Sequence, residues 1–237
     1  MKRCVINFAR GGWYENGQER LRSSLIQTKF SGETLFVRDE AKIGAPPHQV
    51  CPYGFKPYLL RHAYNEGYQS VLWCDASVWA IKSIEPMFEH IEREGHLLFV
   101  NTCTGEWTSD ACLNAFGVSR EAAMNITMLM GICMGFNLAN PVTRQFLRDW
   151  IAKAQDGVSF PGSWTNKHQE VSKDPRVKGH RHDQSVASLL AWKLGLRLIV
   201  PHETFFEYYR SPSSPDGRYN GDLSNVRPTT LMIAQGM

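Results

Sequence analysis

The chain has 237 residues, enough for one large domain or two small ones, with a core that needs no disulfide or metal staple. Apolar residues make up 43% and charged residues 21%, which excludes a disordered or fibrous chain. The 26 basic residues exceed the 23 acidic ones by only 3 and form no dense block, so no nucleic-acid partner is expected.

In chain order, CVINFA (Cys4–Ala9) predicts a first strand, closed by Gly11 and Gly12. Leu21, Leu25 and Ile26 are spaced for an amphipathic helix over Gln18–Lys29. TLFVRD (Thr34–Asp39) predicts a second strand, and a polar loop follows to Tyr53. Phe55–Tyr64 reads as a helix that tolerates Pro57 in its first turn. SVLWCDAS (Ser70–Ser77) reads as a strand, Ile84–Glu94 as a helix, His96–Thr102 as a strand and Asp110–Phe116 as a short helix. Ile126–Leu138 predicts a strand bent at its glycines, and Val142–Ala154 a helix. A long polar loop, Asp156–Arg181, leads to a helix over Gln184–Leu194 and a strand over Arg197–Pro201. The expected division is one domain over 1–210 and an irregular tail over 211–237 that packs on or near the site.

The apolar run from Ile126 is about 11 residues, short of the ~20 that span a bilayer. The first residues carry too short an apolar run for a signal peptide, so the chain is expected to be cytoplasmic. The six cysteines are widely spaced, without a CxxC pair, and read as buried free thiols. Strands alternating with helices predict an α/β fold with a mostly parallel sheet flanked by helices. Ligands of such sheets bind beyond the carboxyl ends of the strands.

Four positions stand out on that rule. Asp75 ends the apolar run VLWC, and Ser77 follows two residues on. In an extended segment the two side chains share one side and suit one divalent cation; the plain alternative is that Asp75 caps a turn. Asp183 precedes a helical run, as an N-cap would. It also sits among His180, His182, Gln184 and Ser185 after the long loop, where a carboxylate held ionised by a helix dipole serves proton transfer or sugar binding. Lys56, at a helix start, suits a phosphate or a solvated surface. His202, after the last strand, suits a metal or a structural role. Gly131 and Gly135 either admit a ligand to the backbone or mark a bulge.

The blocks FKPYLLRHAYNEGYQSVLWCDASVW, MGICMGFNLANPVTRQFLRDWI and RHDQSVASLLAWKLGL resemble GT-A-type glycosyltransferases in order and spacing. The likeness runs from Tyr53 to Phe205, about two-thirds of the chain. It implies a single Rossmann-like domain, a nucleotide-sugar donor (a UDP-sugar first, a GDP-sugar second) and a glycan or small-molecule acceptor. It makes Asp75 the first acid of a D-x-D motif, contacting donor or metal. Ser77 stands where the second acid belongs, which puts the implied Mn²⁺ or Mg²⁺ in question. Gly135 falls in a strand that lines the donor-sugar pocket, and Lys56 ahead of the donor-site strand. Asp183 becomes the catalytic residue, as base for the acceptor hydroxyl or as a group that holds the donor sugar, with His182 and Gln184 as sugar contacts and His202 as a late metal ligand. Trp107 and Trp164 are candidates to stack on an acceptor sugar. The alternatives are a sugar-nucleotide pyrophosphorylase and a non-catalytic sugar-binding protein on a degenerate transferase fold.

Overall fold

The computed structural model describes residues 1–200, 204–209 and 222–235. The strands are β1 (Arg3–Phe8), β2 (Glu33–Val37), β3 (Ser70–Cys74), β4 (Val78–Ala80), β5 (His96–Cys103), β6 (Thr127–Asn137), β7 (Phe205–Tyr208) and β8 (Thr230–Ala234). The helices are α1 (Gly12–Gln27), α2 (Phe55–Asn65), α3 (Glu85–Glu94), α4 (Asp110–Phe116), α5 (Arg120–Met124), α6 (Pro141–Gln155) and α7 (His182–Lys193). The central sheet has five strands in the order β2-β1-β3-β6-β5. Strands β1, β2 and β3 are parallel, β6 runs against β3, and β5 runs against β6. Four of the five strands therefore point the same way, as expected, with β6 reversed among them.

The period-2 alternation of each strand divides the core into two layers. Cys4, Ile6 and Phe8 of β1, with Val71 and Trp73 of β3, pack on α2, α6 and α7. Val5, Leu72 and Cys74 face the other way, onto α1, α3 and a small sheet ordered β4-β8-β7. A single α/β domain results. Among the described residues no helix is long and apolar enough to cross a membrane. All six cysteines are free, and five of them are buried.

The structure corrects several expectations. Helix α1 starts at Gly12, six residues before the expected Gln18, because Gly11 adopts φ 92° and turns the chain straight from β1 into the helix. Strand β3 stops at Cys74; Asp75 to Ser77 form a turn closed by Val78 N donating to Asp75 O at 3.0 Å. Asp75 and Ser77 thus do not share one side of an extended segment. Asp183 is not an N-cap: α7 begins one residue earlier, after Arg181, and no side chain caps it. Arg197–Pro201 is no full strand; its described part makes one parallel bridge, Ile199 to Phe99. The tail is not wholly irregular, because Thr230–Ala234 forms β8 between β4 and β7. Its alternating apolar residues Met232 and Ala234 complete the second core layer.

Candidate active site

The carboxyl ends of β1, β2 and β3 meet at one edge of the sheet, and reversed β6 brings its Gly131–Cys133 segment to the same edge. Asp75 N donates to Ile132 O at 2.8 Å, which fixes the Asp75 turn against β6. From the opposite side α1 presses on this turn. A Cβ on Gly17 would lie 2.2 Å from Ala76 O, so only glycine lets the helix approach so closely. Arg20 Nη2 donates to the same carbonyl at 3.2 Å.

Two helix starts reach this edge. Lys56 sits in the first turn of α2, where the helix dipole opposes a cation. Its ammonium is nearly sealed from solvent, with the side chain 4% exposed, so it needs anionic partners. It has two, Asp183 Oδ2 at 3.0 Å and Asp75 Oδ1 at 3.2 Å, and it donates to the Gly131 carbonyl at 2.8 Å. Of the three contacts, the one to Gly131 O is a hydrogen bond and the two to the carboxylates are ion pairs. Trp73 Nε1 also donates to Asp75 Oδ1, at 2.7 Å. Asp183 lies in the first turn of α7, where a helix dipole favours a carboxylate. Its Oδ2 is buried and has no aligned hydrogen-bond donor, so its contact with Lys56 is ionic.

Burial pushes Asp183 up to about 6, against the opposing pull of Lys56. Burial would draw the Lys56 ammonium down, but Asp183 and Asp75 hold it above the usual lysine range. The pair is therefore charged at neutral pH, and the two carboxylates and one ammonium leave one net negative charge. Asp75 is the accessible acid, with its side chain 28% exposed against 5% for Asp183.

Beside this cluster lies a cavity of about 280 Å³, lined by Phe8, Ala9, Arg10, Tyr14, Glu40, His48, Gln49, Tyr53 and Phe55. Tyr53 joins the two: its ring centroid lies 5.6 Å from Lys56 Nζ. The Tyr53 ring also stacks on His182 at 5.6 Å and meets Trp164 at 6.0 Å. Tyr53 and His182 both hold positive φ, 60° and 45°, a strained backbone for such side chains. The Arg181 guanidinium is sandwiched between Trp107 at 3.8 Å and Trp164 at 3.7 Å. Arg10, on the cavity wall, pairs with buried Glu40 at 2.8 Å.

The site residues expected from the sequence fall into three groups. Lys56, Asp75 and Asp183 come together. His182, Trp107 and Trp164 lie beside them in the aromatic cluster, and Gln184 donates to Leu129 O at 2.7 Å. Ser77 stands in the turn after Asp75. Gly135 departs from its expected role: a Cβ there would lie 2.3 Å from Ile91 Cδ1, so this glycine admits α3 to the sheet inside the core. The glycine at the site is Gly131, where a Cβ would lie 3.5 Å from Asp183 Oδ2. His202 lies outside the described residues. Tyr53, Arg181 and Arg10 were not singled out; Arg181 opens the block RHDQSVASLLAWKLGL and Tyr53 stands two residues before the block that begins at Phe55, and those positions were the available signal.

A resident divalent cation does not fit this donor set. The position between Asp75 and Asp183 is taken by the Lys56 ammonium, and among the described residues no group of three or more His, Cys, Asp or Glu could hold a metal ion.

No family model and no curated protein matches the chain. Solved structures do resemble it. The bifunctional glycosyltransferase WbbM matches with a TM-score of 0.55 at 10% identity, covering 97% of this chain and 45% of its own. Mouse xyloside xylosyltransferase 1 matches with a TM-score of 0.52 at 11% identity, covering 97% of this chain and 96% of its own. The galactosyltransferase LgtC, solved with donor and acceptor sugar analogues, is a looser likeness, with a TM-score of 0.45 at 11% identity over 99% of this chain and 87% of its own. The chain has the GT-A-like fold of glycosyltransferases.

Proposed function

We propose that the protein is a glycosyltransferase that moves a sugar from a nucleoside-diphosphate sugar to an acceptor hydroxyl. The observation that carries this reading is the placement of an accessible carboxylate, Asp75, at the carboxyl edge of the sheet, beside a cavity with the volume for a nucleoside. Rings of Phe8, Tyr53 and Phe55 on the cavity wall suit a base. A UDP-sugar is the first donor to test and a GDP-sugar the second. The acceptor is a glycan or small molecule that approaches across Trp164 and Tyr53.

In the reaction the acceptor oxygen bonds to the anomeric carbon. The bond from that carbon to the diphosphate oxygen breaks, and its electron pair leaves on the phosphate. The hydroxyl proton passes to a carboxylate of the site or to the departing phosphate. Asp75 faces the substrates, and Asp183 stands behind it, holding Lys56 and through Lys56 the Asp75 carboxylate.

A binding protein on the same scaffold is the second reading. One observation favours it: Lys56 already neutralises one of the two acids. The pyrophosphorylase reading loses ground, because the residues after β1 enter α1 at once and form no extended glycine-rich loop.

The test is a thermal-shift panel of UDP, GDP, CMP, ADP and their sugar conjugates, followed by turnover assays with the best ligand. A ligand at 100 times its Kd stabilises by about 2.7 kcal/mol, a shift of several degrees. Asp75→Ala should fold and bind but lose transfer. Full activity in that variant sinks the assignment, and binding without turnover in the wild type favours the second reading.

A further inference from the structure

Resting on the transferase reading, we propose that this site takes its donor without a divalent cation, the Lys56 ammonium standing where a metal ion would bridge Asp75 and Asp183. Two carboxylate oxygens and one backbone carbonyl make the oxygen set that hard cations seek. Here a cation covalently tethered to α2 already fills it, at 2.8, 3.0 and 3.2 Å. A divalent ion drawn to the same oxygens meets the buried ammonium at close range in a medium that screens charge poorly. Asp75 Oδ1 is further occupied by Trp73 Nε1. The turn that follows Asp75 supplies Ser77, a hydroxyl, in place of a second acid.

The donor diphosphate then needs another counter-charge. Arg10 is exposed on the wall of the cavity and, among the described residues, pairs with one acid, Glu40. It follows β1 at the edge where Asp75 follows β3, and the β1–β3 register that pairs Ile6 with Trp73 puts the two segments side by side. Arg10 is therefore the group that meets the diphosphate.

Three titrations on the full chain decide the matter. The first adds Mn²⁺ alone to the wild type by calorimetry; no stoichiometric uptake is expected. The second measures UDP and GDP binding in excess EDTA and in Mn²⁺; affinities should agree within about two-fold. Stoichiometric Mn²⁺ uptake that Asp75→Asn abolishes, or nucleotide binding that EDTA weakens by about ten-fold or more, overturns the proposal. The third uses Lys56→Met, which leaves two unneutralised carboxylates; its melting temperature should rise with Mn²⁺ while that of the wild type does not. A folded Lys56→Met that ignores Mn²⁺ counts against the ammonium as a stand-in. If Lys56→Met fails to fold, the wild-type titrations decide. If no nucleotide binds in either buffer, the transferase reading fails, and the Mn²⁺ titration alone still decides the cation question.

Discussion

The Lys56 ammonium and the Asp183 carboxylate stand 3.0 Å apart, and both side chains are almost wholly withdrawn from water. A buried pair of this kind is costly to break, because the partner left behind is an uncompensated charge. Lys56→Met should therefore lower stability by about 3–5 kcal/mol. Adding Asp183→Asn to it should cost less than the sum of the two single changes, by at least ~0.5 kcal/mol, since the residues share one network. Denaturant unfolding of the four proteins of this cycle measures both quantities.

The same pair predicts a pH dependence. Burial pushes Asp183 to about 6, above its unfolded value of 3.8. A carboxyl group raised on folding stabilises the protein when protonated, and that contribution is lost as pH rises through about 6. The stability of the wild type relative to Asp183→Asn should thus fall between pH 3.8 and about 6, with a slope no steeper than about 1.4 kcal/mol per pH unit. Activity should run the other way. As pH falls through about 6, protonation of Asp183 frees Lys56 from one of its two acids, and turnover should drop. A transfer rate flat across that range removes Asp183 from the mechanism.

His180 predicts acid sensitivity of the long loop. Ser109 N donates to its Nδ1 at 3.2 Å, and its Nε2 donates to Ser159 O at 3.0 Å, so the ring is neutral with the proton on Nε2. Burial pulls it down to about 3, and His182 adds to the effect. A base lowered on folding gives stability that is present above its unfolded value of 6.5 and is lost as pH falls below it. His180→Gln should flatten the wild-type stability curve below pH 6.5, whatever its cost at neutral pH. Chemical denaturation at several pH values reads this directly.

Gly17 predicts a steric effect on the site. A methyl group there would lie 2.2 Å from Ala76 O, a backbone atom with little room to yield. Gly17→Ala should cost about 1–3 kcal/mol and displace the Asp75 turn, weakening nucleotide binding. Gly12→Ala is the control. A Cβ at Gly12 meets nothing within 4 Å, and the helix gains from the better helix former. Equal melting temperatures for the two variants would show that α1 does not bear on the turn.

Much of this was legible in the sequence. Near-continuous apolar runs in CVINF and SVLWC set strands whose two faces are both covered, and the amphipathic runs between them set the covering helices. The rule that ligands gather beyond strand ends then pointed to Asp75, and the polar cluster at a helix start pointed to Asp183. Local chemistry sufficed for these, because each is a property of a short segment.

Other features are decided only by contacts between distant segments. Lys56 and Gly131 stand 75 positions apart, and no local pattern says that one ammonium will be shared by a carbonyl and two acids. Which of two similar glycines lies at the site depends on what packs against each: α7 on Gly131, and Ile91 of α3 on Gly135. The strand Thr230–Ala234 forms because β4 and β7 offer it edges to pair with. Composition and periodicity fixed the layers of this protein, because burial of apolar faces is a local demand. The tertiary structure alone decided the charge balance of its site, because the interaction between buried charges depends on distance in space and not on distance along the chain.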